Sequence, residues 1–263
     1  MNIEKDNEVG SFKDLMNSRL PDKQMVCSEH GEYESKNIIG KIWSTCAKCA
    51  AEQKIIADRN REEKDNQDRA NIWLRRMGEA GIPERFRDRT LESYIASNAG
   101  QKRALAFMTK YAEQFAMVNE KGRSAILCGM PGTGKTHLAV GVALHIMKTG
   151  KIAAFTTVQR MIRRLKDSWR KDSEESESDV IGILVYPDLL IIDEIGVQFG
   201  SEFEKNFMFD LLNERYEKRK PTILLSNLTP SEIKVFLGDR VYDRLKEDGG
   251  QCVAFDWASH RGT

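Results

Sequence analysis

Gly129-Met130-Pro131-Gly132-Thr133-Gly134-Lys135-Thr136 spells G-x-x-x-x-G-K-[ST], the pattern of a loop that binds a nucleoside triphosphate. Ser124-Ala-Ile-Leu-Cys128 before it is an apolar strand candidate, and His137-Leu-Ala-Val-Gly-Val-Ala-Leu144 after it reads as a helix. In that context the loop's N–H groups cradle phosphates and the helix N-terminus faces them with its partial positive charge. Gly129, Gly132 and Gly134 permit close backbone approach. Lys135 is expected to reach the β- and γ-phosphates of ATP, and the Thr136 hydroxyl to bind magnesium. The whole stretch from Gly129 to His137 is expected to line the nucleotide.

Downstream, Leu189-Leu-Ile-Ile-Asp193-Glu194 is an apolar run ending in two carboxylates, as expected of a buried parallel strand that opens on a ligand crevice. Asp193 would hold the magnesium, and Glu194 would orient and activate the attacking water. Ile223-Leu-Leu-Ser-Asn227 is a further strand with a polar end. Asn227 reads either as a turn former or as a sensor of the γ-phosphate, and its place after the other two strands favours the sensor. Arg240 and Arg244 share one helix face. They read as guanidinium groups delivered to a neighbouring subunit's ATP, or as partners of nearby acids such as Asp239 and Asp243, and the sequence leaves both open.

The chain has 263 residues, a net charge of +1 and 31 % charged residues, so nucleic-acid binding must come from local patches. No apolar run approaches the ~20 residues a bilayer span needs, and the polar N-terminus lacks a signal-peptide core, which predicts a cytoplasmic protein without a membrane partner. Five cysteines then argue for free thiols or metal ligation. Cys27-Ser-Glu-His30 and Cys46-Ala-Lys-Cys49, with 15 residues between them, supply a full tetrahedral set for a structural zinc. The intervening residues suit one short hairpin connecting the two knuckles. Cys128 and Cys252 sit in strand-like runs and read as packing residues.

This organisation predicts a zinc-binding and helical partner-binding module over residues 1–80, a linker over 81–100 and an ATPase domain over 101–263. In the first region, residues 12–20 suggest a short helix and residues 50–80 a long solvated one. Beyond the linker, strands at 125–128, 152–157, 189–193 and 222–226 alternate with helices at 102–118, 137–148, 158–170 and 202–219, with another helix from Ser231. Such alternation implies an α/β fold, a parallel sheet covered by helices on both faces. The acidic, serine-rich stretch 172–179 reads as a mobile loop. The helix before it carries Arg160, Arg163, Arg164, Lys166, Arg170 and Lys171 around Trp169, a composition suited equally to single-stranded DNA and to a solvated basic face.

Taken in order, the phosphate loop, Leu189-Leu-Ile-Ile-Asp-Glu-Ile-Gly196, Ser226-Asn227 and Gly238-Asp-Arg-Val-Tyr-Asp-Arg244 resemble the DnaC family of bacterial replicative-helicase loaders. These are AAA+ P-loop ATPases, with the IstB transposition helpers as close relatives. Ile82-Pro-Glu-Arg-Phe86 and Thr90-Leu-Glu-Ser-Tyr94 resemble that group's linker, and Asp256-Trp-Ala-Ser-His-Arg261 its C-terminal motif, which would make Arg261 a second sensor of ATP. The resemblance implies that Asn227 is the first sensor and that Arg240 or Arg244, with Arg244 preferred, acts in trans between self-associated subunits. It further implies a hexameric replicative helicase gripped by the N-terminal region, and single-stranded DNA engaged by the ATPase domain. The Cys/His module departs from the family pattern. Two other readings stand beside the loader: an IstB-like helper acting on duplex DNA with a transposase, and a zinc adaptor switched by ATP without hydrolysis.

Overall fold

The computed structural model describes residues 20–39, 41–77, 81–196 and 202–259. The expected helix at 12–20 falls almost wholly outside them. The chain divides into two compact units, Met1–Arg69 and Ala70–Thr263.

The first unit opens with two antiparallel hairpins. Strand β1 (Lys23–Cys27) pairs with β2 (Gly31–Ser35), so that Cys27 opposes Gly31 and the Cys27–His30 knuckle is itself the turn. Strands β3 (Asn37–Ile39) and β4 (Ile42–Trp43) form the second hairpin. The stretches 31–35 and 37–39, expected to form one hairpin between the knuckles, instead belong to two: the C-x-x-H turn closes β1 onto β2 around the first knuckle, and β3 pairs with β4 beyond it. Buried Asn37 ties the module together: its Oδ1 accepts from Leu20 N–H at 3.2 Å and its Nδ2 donates to the Ile42 carbonyl at 3.2 Å. Helix α1 (Ala47–Met77) begins immediately after Cys46.

The second unit is built on five parallel strands: β5 (Ala125–Gly129), β6 (Ala153–Thr157), β7 (Leu189–Ile195), β8 (Thr222–Ser226) and β9 (Gln251–Phe255). Their order is β6-β7-β8-β5-β9, which places the phosphate-loop strand β5 inside the sheet, beside β8. Period-two alternation divides the core. Ala125, Leu127, Phe155, Ile191 and Leu225 face one side. There they meet α2 (Ala99–Glu113), α3 (Phe115–Lys121) and α4 (Lys135–Met147). Ile126, Cys128, Ala154, Leu190, Ile192 and Leu224 face the other. That side is covered by α5 (Val158–Ser168), α6 (Glu177–Val185), α7 (Glu202–Glu217), α8 (Pro230–Leu237) and α9 (Asp239–Lys246). The strands read as unbroken apolar runs because both faces are buried.

One sequence expectation needs correction. The 172–179 stretch is not wholly a loop, because α6 starts at Glu177. Ser176 caps it through a reciprocal pair with Asp179, so the serine-acid pattern is a helix start. Residues 81–96 pack against the second unit's core, where Ile82, Leu91 and Tyr94 are buried. Arg215 of α7 is fully buried. It donates to the carbonyls of Leu184, Val185, Pro187 and Pro221 and to Thr222 Oγ1, and its burial lowers its pKa to about 9. These bonds satisfy carbonyls at the end of α6 that would otherwise be orphaned.

Candidate functional site

The carboxyl ends of β5, β7 and β8 converge where the strand order reverses, the place where an open parallel sheet leaves a ligand crevice. The phosphate loop fills the step from β5 to α4. Met130 N–H donates to the Phe255 carbonyl at 2.9 Å, and Thr133 Oγ1 donates to the Met130 carbonyl at 2.7 Å. The Thr133 carbonyl accepts from the Tyr94 hydroxyl at 3.2 Å and from the Trp257 indole N–H at 3.0 Å. Glycine is required where these braces press closest. A Cβ on Gly129 (φ 122°) would stand 2.4 Å from the Phe255 carbonyl oxygen, and one on Gly134 (φ 97°) 2.6 Å from the Tyr94 ring. Tyr94 and Trp257 are thus loop-bracing residues that the sequence offered only as members of longer motifs. Both are distant from the loop in the chain, so no local pattern reveals them.

Lys135 is 7 % exposed, and its ammonium donates to the Gly129 and Met130 carbonyls, both at 2.8 Å. A desolvated cation held over a loop of N–H groups suits phosphate. Met130 and Pro131 lie exposed on the loop and Gly132 is half-buried. The His137 side chain points elsewhere: burial lowers its pKa, and Nε2–H donates to the Thr90 carbonyl at 2.9 Å. It also lies 3.1 Å from Ser93 Oγ, so the ring braces the 90–94 segment.

Thr136 and Asp193 meet across the crevice, Thr136 Oγ1 donating to Asp193 Oδ2 at 3.1 Å. Two hard oxygen donors this close, beside a phosphate cradle, are the donor set that magnesium takes from protein when phosphates supply the rest. The other Asp193 oxygen accepts the Glu194 N–H at 2.7 Å. Glu194 itself has φ 65°, and the pairing of β7 with β8 skips from Ile192 to Ile195. The strand therefore bulges at the two carboxylates and leaves Glu194 exposed at its end. Asn227 is exposed directly after β8, the strand between β5 and β7.

The paired arginines differ. Arg244 is half-buried: it donates to Asn213 Oδ1 at 2.7 Å and lies over the Tyr216 ring with its guanidinium carbon 4.9 Å from the centroid. Arg240 is exposed on the same helix. Arg261 lies outside the described residues. Cys128 and Cys252 are neighbouring strand residues with sulfurs 3.4 Å apart.

Most cations of the α5 region are engaged. Arg164 makes a two-point pair with Glu175 at 2.6 and 2.9 Å, Lys166 meets Glu204 at 2.6 Å, and Arg160 donates to the Gly81 carbonyl at 3.1 Å. Arg170 lies 3.8 Å from Asp172. Arg163 and Lys171 are exposed. Half-exposed Trp169 packs edge-on against exposed Phe203 at 5.0 Å between centroids, and its indole N–H donates to Glu177 at 3.2 Å.

In the first unit, Cys27, His30, Cys46 and Cys49 converge with their ligand atoms all within 4.8 Å of one another. Cys27 Sγ stands 3.5 Å from Cys49 Sγ and 3.8 Å from His30 Nδ1. His30 Nδ1 stands 3.2 Å from Cys49 Sγ and 3.8 Å from Cys46 Sγ. Tetrahedral zinc, with bonds of about 2.3 Å to sulfur and about 2.0–2.1 Å to nitrogen, separates its ligands by roughly 3.6–3.8 Å. The set fits zinc and leaves no open position.

Comparison with known proteins places this geometry. The profile of the family described as IstB-like ATP binding protein matches residues 61–245, so all four Cys/His residues lie before the matched segment. The chain is 34 % identical over 197 residues to the replicative helicase loader DnaC of Escherichia coli K12, covering 75 % of this chain and 79 % of that protein. It is 33 % identical over 195 residues to the DnaC loader of Buchnera aphidicola subsp. Schizaphis graminum, covering 74 % and 78 %. Among solved structures, the DnaC helicase loader superposes with a TM-score of 0.59 at 23 % identity, over 66 % of this chain and 100 % of that one. The structure titled DnaI gives 0.55 at 18 % identity, over 68 % and 94 %.

Proposed function

This chain belongs to the IstB/DnaC family, and from that premise we propose that it is an ATP-dependent loader of a hexameric replicative helicase onto single-stranded DNA. Its second unit has the AAA+ P-loop NTPase fold, and no described helix is long and apolar enough to cross a membrane. The observation that carries the reading is the juxtaposition of Lys135, Thr136 and Asp193 in a chain a third identical to helicase loaders over three quarters of its length. Lys135 exchanges its two loop carbonyls for the β- and γ-phosphates of ATP. Thr136 and Asp193 would hold magnesium, which when bound would neutralise phosphate charge. Glu194 positions the attacking water from the end of the bulged strand, and Asn227 reads the γ-phosphate from the adjoining one.

Either Arg240 or Arg244 reaches the ATP of a neighbouring subunit in an assembled state, so the site is complete only between subunits. Residues 1–80 carry a structural zinc and the helicase grip, residues 81–100 lead into the ATPase domain at 101–263, and Arg261 completes the ATP site. Single-stranded DNA runs along α5, where Arg163, Lys171 and the Trp169–Phe203 ring pair offer charge and stacking surface. Removing the γ-phosphate contacts by hydrolysis then releases the loader.

Transfer of a bacterial replicative hexamer to circular single-stranded DNA tests this directly. ATP should promote the transfer, the DNA should accelerate ATP turnover, and Lys135→Ala should abolish both together with nucleotide binding. Filaments on duplex DNA that activate a transposase, without helicase transfer, would overturn the loader in favour of a transposition helper.

A further inference from the structure

Helix α1 has an unusual first half. From Ala50 to Lys64 every residue is exposed, including Ile55 at 68 % and Ile56 at 58 %. The first turn contains no acidic residue to complement the helix dipole. Segments without a packed face are marginal as helices in water, because nucleating the first turn costs more than its one hydrogen bond returns. Something must hold the start of α1, and apolar burial does not.

The Cys/His set lies at that start. Cys46 immediately precedes the helix and Cys49 lies in its first turn, while Cys27 and His30 come from the β1–β2 hairpin. Glu52, one turn beyond Cys49, places Oε1 3.2 Å from His30 Nε2, the ring nitrogen opposite the one that faces the sulfurs. A histidine ligand whose far nitrogen meets a carboxylate has its tautomer and ring plane set. Both the ligands and their anchor therefore bridge the hairpin and the first two turns of α1.

We propose that zinc is the nucleus of α1: the metal, with Glu52 as positioning residue for His30, replaces the missing apolar face and makes the order of the helix's first half depend on bound metal. This rests on the zinc reading of the Cys/His set and extends it to the helix. Thiolates at a helix N-terminus add favourable charge to the same end, and metal affinity becomes folding free energy of the segment attached to it. The C-terminal part of α1 and the ATPase unit need not respond.

The experiment uses the full chain with one equivalent of zinc. Metal content per chain, competition with a chromophoric chelator, and peptide-resolved hydrogen exchange over residues 47–64 are measured together. One zinc per chain is expected, with amide protection across 47–64 lost on chelation and restored on adding zinc. Glu52→Ala should weaken zinc binding by roughly 10–100-fold, the range for anchors of metal-bound histidine, and lose that protection at zinc concentrations that saturate the native chain. Glu52→Gln should retain part of the effect. A chain that binds no zinc would remove the zinc reading itself. Stoichiometric zinc with unchanged protection after chelation would overturn only the nucleation proposal, as would Glu52→Ala with native zinc affinity.

Discussion

Glu194 concentrates the conflict between stability and chemistry in one residue. A non-glycine side chain at φ 65° is strained, and here the strain accompanies a register skip at the two successive carboxylates that leaves Glu194 exposed. Replacing Glu194 with glycine should relieve that strain and raise unfolding stability by up to about 1 kcal/mol, less the entropy that glycine adds to the unfolded chain. ATP turnover should fall to background. Glu194→Gln should abolish turnover with stability unchanged within about 0.5 kcal/mol. Thermal melts beside ATPase assays decide the matter; a glycine variant destabilised by more than the roughly 0.4–1 kcal/mol that glycine's unfolded-state entropy costs would show that the strand end is not strained. The motif Asp-Glu after an apolar run was legible in the sequence, whereas the bulge was not, because it arises from pairing with β8.

At the scale of elements, α5 and the segment after it act as a charge pair. The sequence displays a basic helix and an acidic stretch as separate features. Folding lays one on the other, with Arg164 held by Glu175 in a half-buried pair. On the proposed DNA path, phosphates would have to compete with that carboxylate. Arg163→Glu should therefore weaken single-strand binding and flatten its salt dependence, while leaving nucleotide affinity intact. Glu175→Gln should strengthen DNA binding while costing roughly 0.2–1 kcal/mol of stability, the range for a partly exposed pair. Fluorescence anisotropy with an oligonucleotide across a salt series reads both; weaker DNA binding in Glu175→Gln would mean that the acid organises the DNA surface. The same segment shows how a local pattern misleads. Serines and acids lower mean hydropathy enough to suggest a loop, yet Ser176 and Asp179 are the two halves of a helix cap.

For the whole molecule, the arginines of α9 separate internal structure from assembly. Arg244 already serves its own subunit through Asn213 and Tyr216, whereas Arg240 stands exposed. Arg240→Ala should leave the melting temperature unchanged and abolish DNA-stimulated turnover if it is the residue acting in trans. Arg244→Ala should lower stability by about 1 kcal/mol through the lost charge-assisted bond. Mixing each variant with Lys135→Ala chains locates the trans contribution: rescue in mixtures requires one intact site completed by one intact arginine. Loss of turnover in the Arg244 variant alone, at undiminished stability, would assign the trans role to Arg244.

By itself, the sequence determined the parallel α/β plan, the phosphate loop, the carboxylate pair and the four-ligand Cys/His set, because each depends on residue types at short fixed spacing. Glycines, a lysine and a threonine within eight residues announce a phosphate cradle, and two C-x-x knuckles announce a cluster of the donor set that zinc takes. Only the tertiary structure decided what braces and completes them. Tyr94 and Trp257 on the loop, Glu52 behind His30, Arg215 under α6 and Glu175 on Arg164 all act across folded distance. Their roles come from burial and from partners that chain order does not place beside them. A lone arginine or glutamate looks the same in sequence whether it meets water or a partner.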